Sequence, residues 1–186
     1  MKKAFYFILF VFFCLNYVNA GNPVIVKSGK FSALKNCGDI IYEFDYSEAT
    51  IDGKPLLEYF KGRGEDFLRD WPINSKAGES GFAAMFNKKN KLGINMVENS
   101  SNAKYKLLVK VSKLDIGNSA GTFVPFAGAK AGGVILWGTA VFTDISSGDA
   151  VVSLAIDEVK GTGSPSEKVR MVLTYSTLAT TMCKLK

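Results

Sequence analysis

The sequence predicts an α+β fold, a two-layer α/β sandwich in which a mainly antiparallel sheet carries helices largely on one face. Three observations predict it. In "AKYKLLVKVSKLDIG", Tyr105, Leu107, Val109 and Val111 alternate with Lys106, Lys110 and Ser112, the period-two pattern of a half-buried strand. Two β-rich runs flank Ser146, Ser147, Gly148 and Asp149, whose turn chemistry makes them a hairpin. Helical spacings lie on either side of this strand-rich stretch, which runs from 104 to 160.

Taken in order, the chain opens with Lys2 and Lys3, then the apolar run "AFYFILFVFFCL", then Val18-Asn19-Ala20. This is the pattern of a secretory signal peptide over residues 1–20, cleaved after Ala20. The apolar run is about 12 residues, short of the roughly 20 that a permanent membrane helix needs, so no stable membrane insertion is expected. Cys14 lies inside that run behind Phe12 and Phe13, which is not the setting of a lipid-modified cysteine. Residues 21–186 suit a single α/β domain, periplasmic or secreted. Part of the formal charge of +6 lies in the leader, and the basic cluster "NKKNK" at 87 to 91 reads as a solvated helix end, so nucleic acid is not an expected partner.

Cys37 and Cys183 remain after the leader. In an oxidising compartment they invite a disulfide joining the two ends of the domain; the alternative is that each is a small buried hydrophobe. A short strand over "PVIVKSG" precedes "DIIYEFDYS", where Ile40, Tyr42, Phe44 and Tyr46 oppose Ile41, Glu43 and Asp45 in a strand with one buried face. Leu56, Leu57, Phe60, Phe67, Leu68 and Trp71 then fall at helical spacings, weakened at Gly62 and Gly64, with Pro72 expected to stop the helix. A second helix is expected over 78 to 91, capped by Ser75 or Ser80 and ended by Gly93. At the other end of the chain, Ser166 caps a C-terminal helix whose expected apolar stripe is Val169, Val172, Leu173, Leu178 and Met182.

The stretch "GTFVPFAGAKAGGVILWGTAVF" combines a glycine-rich connection, 117 to 133, with a strand apolar on both faces. Val134, Leu136, Ala140 and Phe142 point one way, Ile135, Trp137 and Val141 the other, and Gly138 marks a bulge or close contact. Gly128 and Gly133 have the separation of a phosphate-binding loop, but Val134 stands where the lysine belongs and no helix follows. The expected interaction surface is therefore Phe123, Phe126, Ile135, Trp137 and Val141. Two alternatives stand beside it: another element covers the strand, or Phe123, Val124 and Phe126 fold over it.

Chemistry is sparse. The chain contains no histidine, which removes histidine-based triads and histidine metal sites, and two distant cysteines cannot make a four-thiolate zinc site. No catalytic residue, metal or cofactor is predicted. Glu65, Asp66 and Asp70 with Arg63 and Arg69 read as a solvated helix face, and Asp45, Asp115, Asp144 and Asp157 as acids at strand ends.

The segments "SGKFSALK", "FDYSEATIDGK", "FNKKNK", "AKYKLLVKV" and the late Arg170 and Tyr175 together resemble an uncharacterised family of secreted bacterial cell-envelope proteins. The order of elements also resembles the α/β fold of the TolB amino-terminal domain, the penicillin-binding-protein activator LpoB and the periplasmic part of the curli secretion protein CsgG. Those proteins act by binding other envelope proteins. The resemblance implies a non-catalytic interaction module with an envelope protein as partner, or a homo-oligomer through an exposed sheet face. It carries over neither catalytic residues nor a lipid anchor. A carrier of a small apolar ligand and a histidine-free carboxylate hydrolase are the alternative functions.

Overall fold

A computed structural model describes residues 22–117 and 132–185. The expected signal peptide and, from the interaction surface, Phe123 and Phe126 lie outside the described residues. Strand β1 (Val24–Gly29) leads through a 3₁₀ turn (Phe31–Leu34) to β2 (Gly38–Asp45) and the two-residue strands β3 (Thr50–Ile51) and β4 (Lys54–Pro55). Helices α1 (Leu56–Arg63) and α2 (Glu65–Lys89) follow, then β5 (Ile94–Val97), β6 (Tyr105–Asp115), β7 (Ile135–Asp144), β8 (Ala150–Lys160) and helix α3 (Glu167–Met182). The strands form one mixed sheet in the order β1-β8-β7-β6-β2-β5, with β3 attached to β6 and β4 to β3. The fold is α+β. The β1–β8, β8–β7 and β7–β6 ladders are antiparallel, and β2 joins both β6 and β5 in parallel.

Register explains which side chains are buried. Tyr42 pairs with Leu107 and Phe44 with Val109; Leu107 pairs with Phe142, and Phe142 with Val152. All are buried, because this face lies under α2 and α3. Phe44 meets Phe82 of α2 edge-on at 5.4 Å and Tyr175 of α3 at 5.1 Å. A β-carbon on Gly78 of α2 would stand 3.2 Å from the Tyr175 ring, so the missing side chain is what lets the two helices approach there.

The helix is broken at Gly64, one of the two glycines expected to weaken it, where a φ of 114° leaves the helical region. Two other helix expectations are corrected. Pro72 does not stop the helix but sits inside it. Pro72 forfeits one backbone hydrogen bond. Its neighbour Trp71 is packed on Phe60 at 5.0 Å and against Tyr46 at 5.4 Å, and this packing holds the segment helical through the proline. Ser75 accordingly lies mid-helix, donating to the Pro72 carbonyl at 3.2 Å instead of capping. The buried arc of α3 is Met171, Thr174, Tyr175, Leu178, Ala179 and Met182, while Val169 is exposed, because the helix packs against both the sheet and α2. Ser166 caps it as expected, accepting from the Val169 amide.

A polar chain runs from the core to the surface. The Tyr175 and Tyr46 hydroxyls share a 2.7 Å hydrogen bond, and Tyr46 faces the Glu79 carboxyl. Lys76 lies 3.6 Å from Glu79 and 3.0 Å from Glu98, which accepts from Tyr42 at 3.3 Å. Burial raises Glu79 above the usual carboxylate range against the opposing pull of Lys76 and Tyr46. The folded state thus binds this proton more tightly than the unfolded chain, so Glu79 stabilises most below its unfolded value and loses that contribution as pH rises through the folded one. Glu79→Gln should therefore gain stability relative to the parent as pH rises above the ordinary glutamate value of about 4.3, measured by urea melts. A pH-independent difference, or one of opposite slope, would show that the carboxylate is favoured by its setting.

Candidate functional site: the helix-free face of the sheet

Alternation sends the other half of the strand residues to a face that α2 and α3 do not cover. Val141 of β7 pairs with Leu108 of β6 and Ser153 of β8, and Trp137 and Ile135 continue the β7 column toward the start of the strand. Ile135, Trp137, Val141 and Leu108 are all half-buried, and none is as enclosed as its core-facing neighbours Leu136, Ala140 and Phe142. The structure places the three described residues of the expected surface on one face of β7, with exposed Thr139 between Trp137 and Val141, and Val134, Leu136, Ala140 and Phe142 inside.

Charged columns lie on the β6 side of this apolar one, while on the β8 side its register partners include Ser153 and Ala155. Lys106, Lys110 and Lys113 of β6 lie between it and the acidic column of β2, where Glu43 is ion-paired with Lys106 and Asp45 is in register with Lys110. Lys113 places its ammonium 4.6 Å from the centre of the Trp137 ring, a cation–π contact that covers one side of the indole. A bulge offsets β6 against β7 between Val111 and Lys113, opposite Gly138, where a β-carbon would stand 2.1 Å from the Lys110 carbonyl oxygen. Glycine here is a requirement of close strand approach. Beside it, Asp45, Ser47, Lys110, Ser112 and Thr139 line an open cleft of about 240 Å³.

Of the strand-end acids singled out by the sequence, Asp45, Asp115 and Asp144 are occupied locally, and Asp157 is exposed on β8. Asp45 accepts the Ser47 amide at 2.9 Å, Asp115 the Gly117 amide at 2.8 Å, and Asp144 the Ser146 hydroxyl and amide at 2.6 and 2.9 Å. These bonds hold Asp45 and Asp144 below the usual carboxylate range. Asp115 and Asp144 sit at opposite ends of the β6–β7 pair. On α2, Arg69 pairs with Asp66 at 2.9 Å and Asp70 at 3.2 Å, and Arg63 reaches Glu167 instead at 3.9 Å. Among the described residues no three histidine, cysteine, aspartate or glutamate side chains are placed to hold a metal ion.

Arg170 has a role that periodicity concealed. It is buried, donating from Nε to the Ile116 carbonyl at 3.2 Å and from Nη1 to Ser164 at 2.7 Å and Pro165 at 3.1 Å. It ties the end of β6 to the loop ahead of α3. The signal was a charged residue at a core-facing position of an otherwise apolar helix face.

The expected disulfide is not formed. Cys37 and Cys183 are free, each facing a different backbone carbonyl: Cys37 Sγ lies 3.9 Å from Gly38 O, and Cys183 Sγ 3.8 Å from Phe86 O. Burial raises both thiols, Cys183 to about 11.

No protein-family model and no curated protein matches the chain. Among solved structures, a PelC dodecamer from Paraburkholderia phytofirmans is similar at 15% identity over 84% of this chain and 96% of that one, with a TM-score of 0.44. A variant PelC dodecamer from the same species matches at 15% identity over 87% and 97%, with a TM-score of 0.39.

At pH 8 a thiol with the Cys183 value of about 11 is ionised in roughly one molecule in a thousand, so iodoacetamide should label native Cys183 far more slowly than the unfolded chain. Mass analysis should find two adducts after denaturation without reductant. Adducts that form only after reduction would establish a bridge.

Proposed function

We propose that the protein is a non-catalytic module of the bacterial cell envelope that binds another envelope protein through the open face of its sheet. The observation that carries this reading is the apolar column of Ile135, Trp137 and Val141, joined by Leu108, on the face that neither α2 nor α3 covers. An apolar strip with a charged border along its β6 side and Ser153 and Ala155 along its β8 side has the character of a contact surface with a polar rim at one edge. The periplasmic or secreted location rests on the leader at residues 1–20.

The local geometry supports binding over the alternatives. Asp45 and Asp115 each accept a backbone amide of their own turn, and the described clefts beside them are open to solvent. A carrier of an apolar ligand works through an enclosed apolar cavity, and a carboxylate hydrolase through converging acids. A second copy of the chain is the other partner this face could take, and sedimentation of the purified protein separates the two cases.

Two substitutions on the same strand test the reading. Phe142→Ala removes a fully buried ring and should cost about 3 to 5 kcal/mol, whereas Trp137→Ala on the open face should cost less than about 1.5 kcal/mol. In capture experiments from the envelope extract of the native host, Trp137→Ala should lose a partner that the parent retains. A stability loss for Trp137→Ala as large as that for Phe142→Ala, with capture unchanged, would overturn the proposal.

A further inference from the structure

We infer that one end of the molecule is a docking surface for an anionic lipid bilayer. Strands β2, β5 and β6 all begin at this end, and α2 and α3 both finish there. The segments are tied together by contacts: the Asn36 amide donates to the Leu92 carbonyl at 2.6 Å, Cys183 of the α3 terminus faces the Phe86 carbonyl, and the Ile145 amide donates to the Lys104 carbonyl at 2.9 Å. Lys88, Lys89 and Lys91 thereby converge with Lys35, Lys104 and Lys184, which come from four different parts of the chain.

All six are exposed, and none is in an ion pair among the described residues. Elsewhere pairing is mixed: Lys76, Lys106 and Lys160 are in ion pairs while Lys54, Lys61 and Lys168 are in none among the described residues, so what sets this end apart is the number of lysines gathered there. The acids at this end are fewer and partly engaged: Asp39 accepts from Asn95 and Ser100, Asp144 from Ser146, and Asp149 lies in the β7–β8 turn. Compensation of a helix dipole accounts for Lys88 and Lys89, but Lys35 follows only the single 3₁₀ turn and Lys104 lies on no helix end.

The chemistry of the pole selects its partner. Its charges are lysines, point charges without the planar fork that reads a phosphodiester or carboxylate in two-point fashion. The two described clefts lie toward the other ends of β2 and β6, and the aromatic ring nearest Lys104, Tyr105, is buried and offers no stacking platform. Single-stranded nucleic acid uses a groove with exposed aromatics, and an acidic peptide uses a groove. A broad lysine surface carrying one exposed apolar residue, Ile145, fits lipid headgroups, where each lysine adds attraction and the side chain can enter the interface. This inference stands apart from the sheet-face reading, since it concerns the strand ends and not the face.

The test is co-sedimentation of the leader-free protein with vesicles of phosphatidylcholine alone or mixed with phosphatidylglycerol. Binding to the mixed vesicles is expected at about 50 mM salt and loss of it at about 300 mM. Lys88→Gln, Lys89→Gln and Lys91→Gln combined should weaken it about a hundredfold, while Lys54→Gln, Lys61→Gln and Lys168→Gln at the far end change it little. A thermal melt of both triple variants that matches the parent keeps folding out of the comparison. Equal binding to neutral vesicles, equal weakening by both variants, or binding to duplex DNA or a soluble acidic polysaccharide without vesicle binding would overturn the inference.

Discussion

Phe44 is where the sheet, α2 and α3 meet, and the one-sided packing around it decides the rest of the structure. Its ring touches Phe82 and Tyr175 from the two helices and lies 6.4 Å from both Tyr42 and Tyr46 of its own segment. Burial of aromatic surface supplies most of the free energy such a junction contributes, and edge-on geometry adds to it. Gly78 leaves room for the close approach of α3 to α2 at this junction, and the Tyr175 hydroxyl finds a partner in Tyr46. Once both helices are committed to that face, period-two alternation leaves Ile135, Trp137 and Val141 on the other.

Much of this was legible in the amino-acid order. The alternations in β2 and β6, the Ser146–Asp149 turn, the Ser166 cap and the two faces of β7 are local signals, carried by neighbouring residues. What was not legible is non-local. The parallel union of β2 with β6 joins residues far apart in sequence, and β5 is too short to show a period. Pro72 stays helical because Trp71 is held by Phe60 and Tyr46, partners that no window around the proline contains. The buried arc of α3 includes Thr174 and Arg170 because carbonyls of Val134, Ile116, Ser164 and Pro165 satisfy them. A hydrophobicity pattern counts such residues as polar and rotates the face accordingly.

The candidate site was half legible for the same reason. Opposite faces of β7 follow from alternation, but the bordering charges depend on register: Lys113 reaches Trp137 only because a bulge displaces β6 at that level. Half of the lysine-rich end was legible as "NKKNK" at 87 to 91, and topology supplies the rest, since parallel strands and two helix termini bring Lys35, Lys104 and Lys184 to it. The open face and the basic end are therefore two consequences of one arrangement, available to two different kinds of surface.

Among the described residues, α2 and α3 pack one face of the sheet and not the other, and the two tryptophans report on the two faces separately. Trp71 lies within the helical layer and is 6% exposed, while Trp137 stands half-buried on the opposite side of the sheet. Acrylamide quenching of the single-tryptophan variants Trp71→Phe and Trp137→Phe tests this directly. The structure predicts efficient quenching of Trp137 and weak quenching of Trp71; a Trp137 as protected as Trp71 in the monomeric protein would contradict the one-sided architecture.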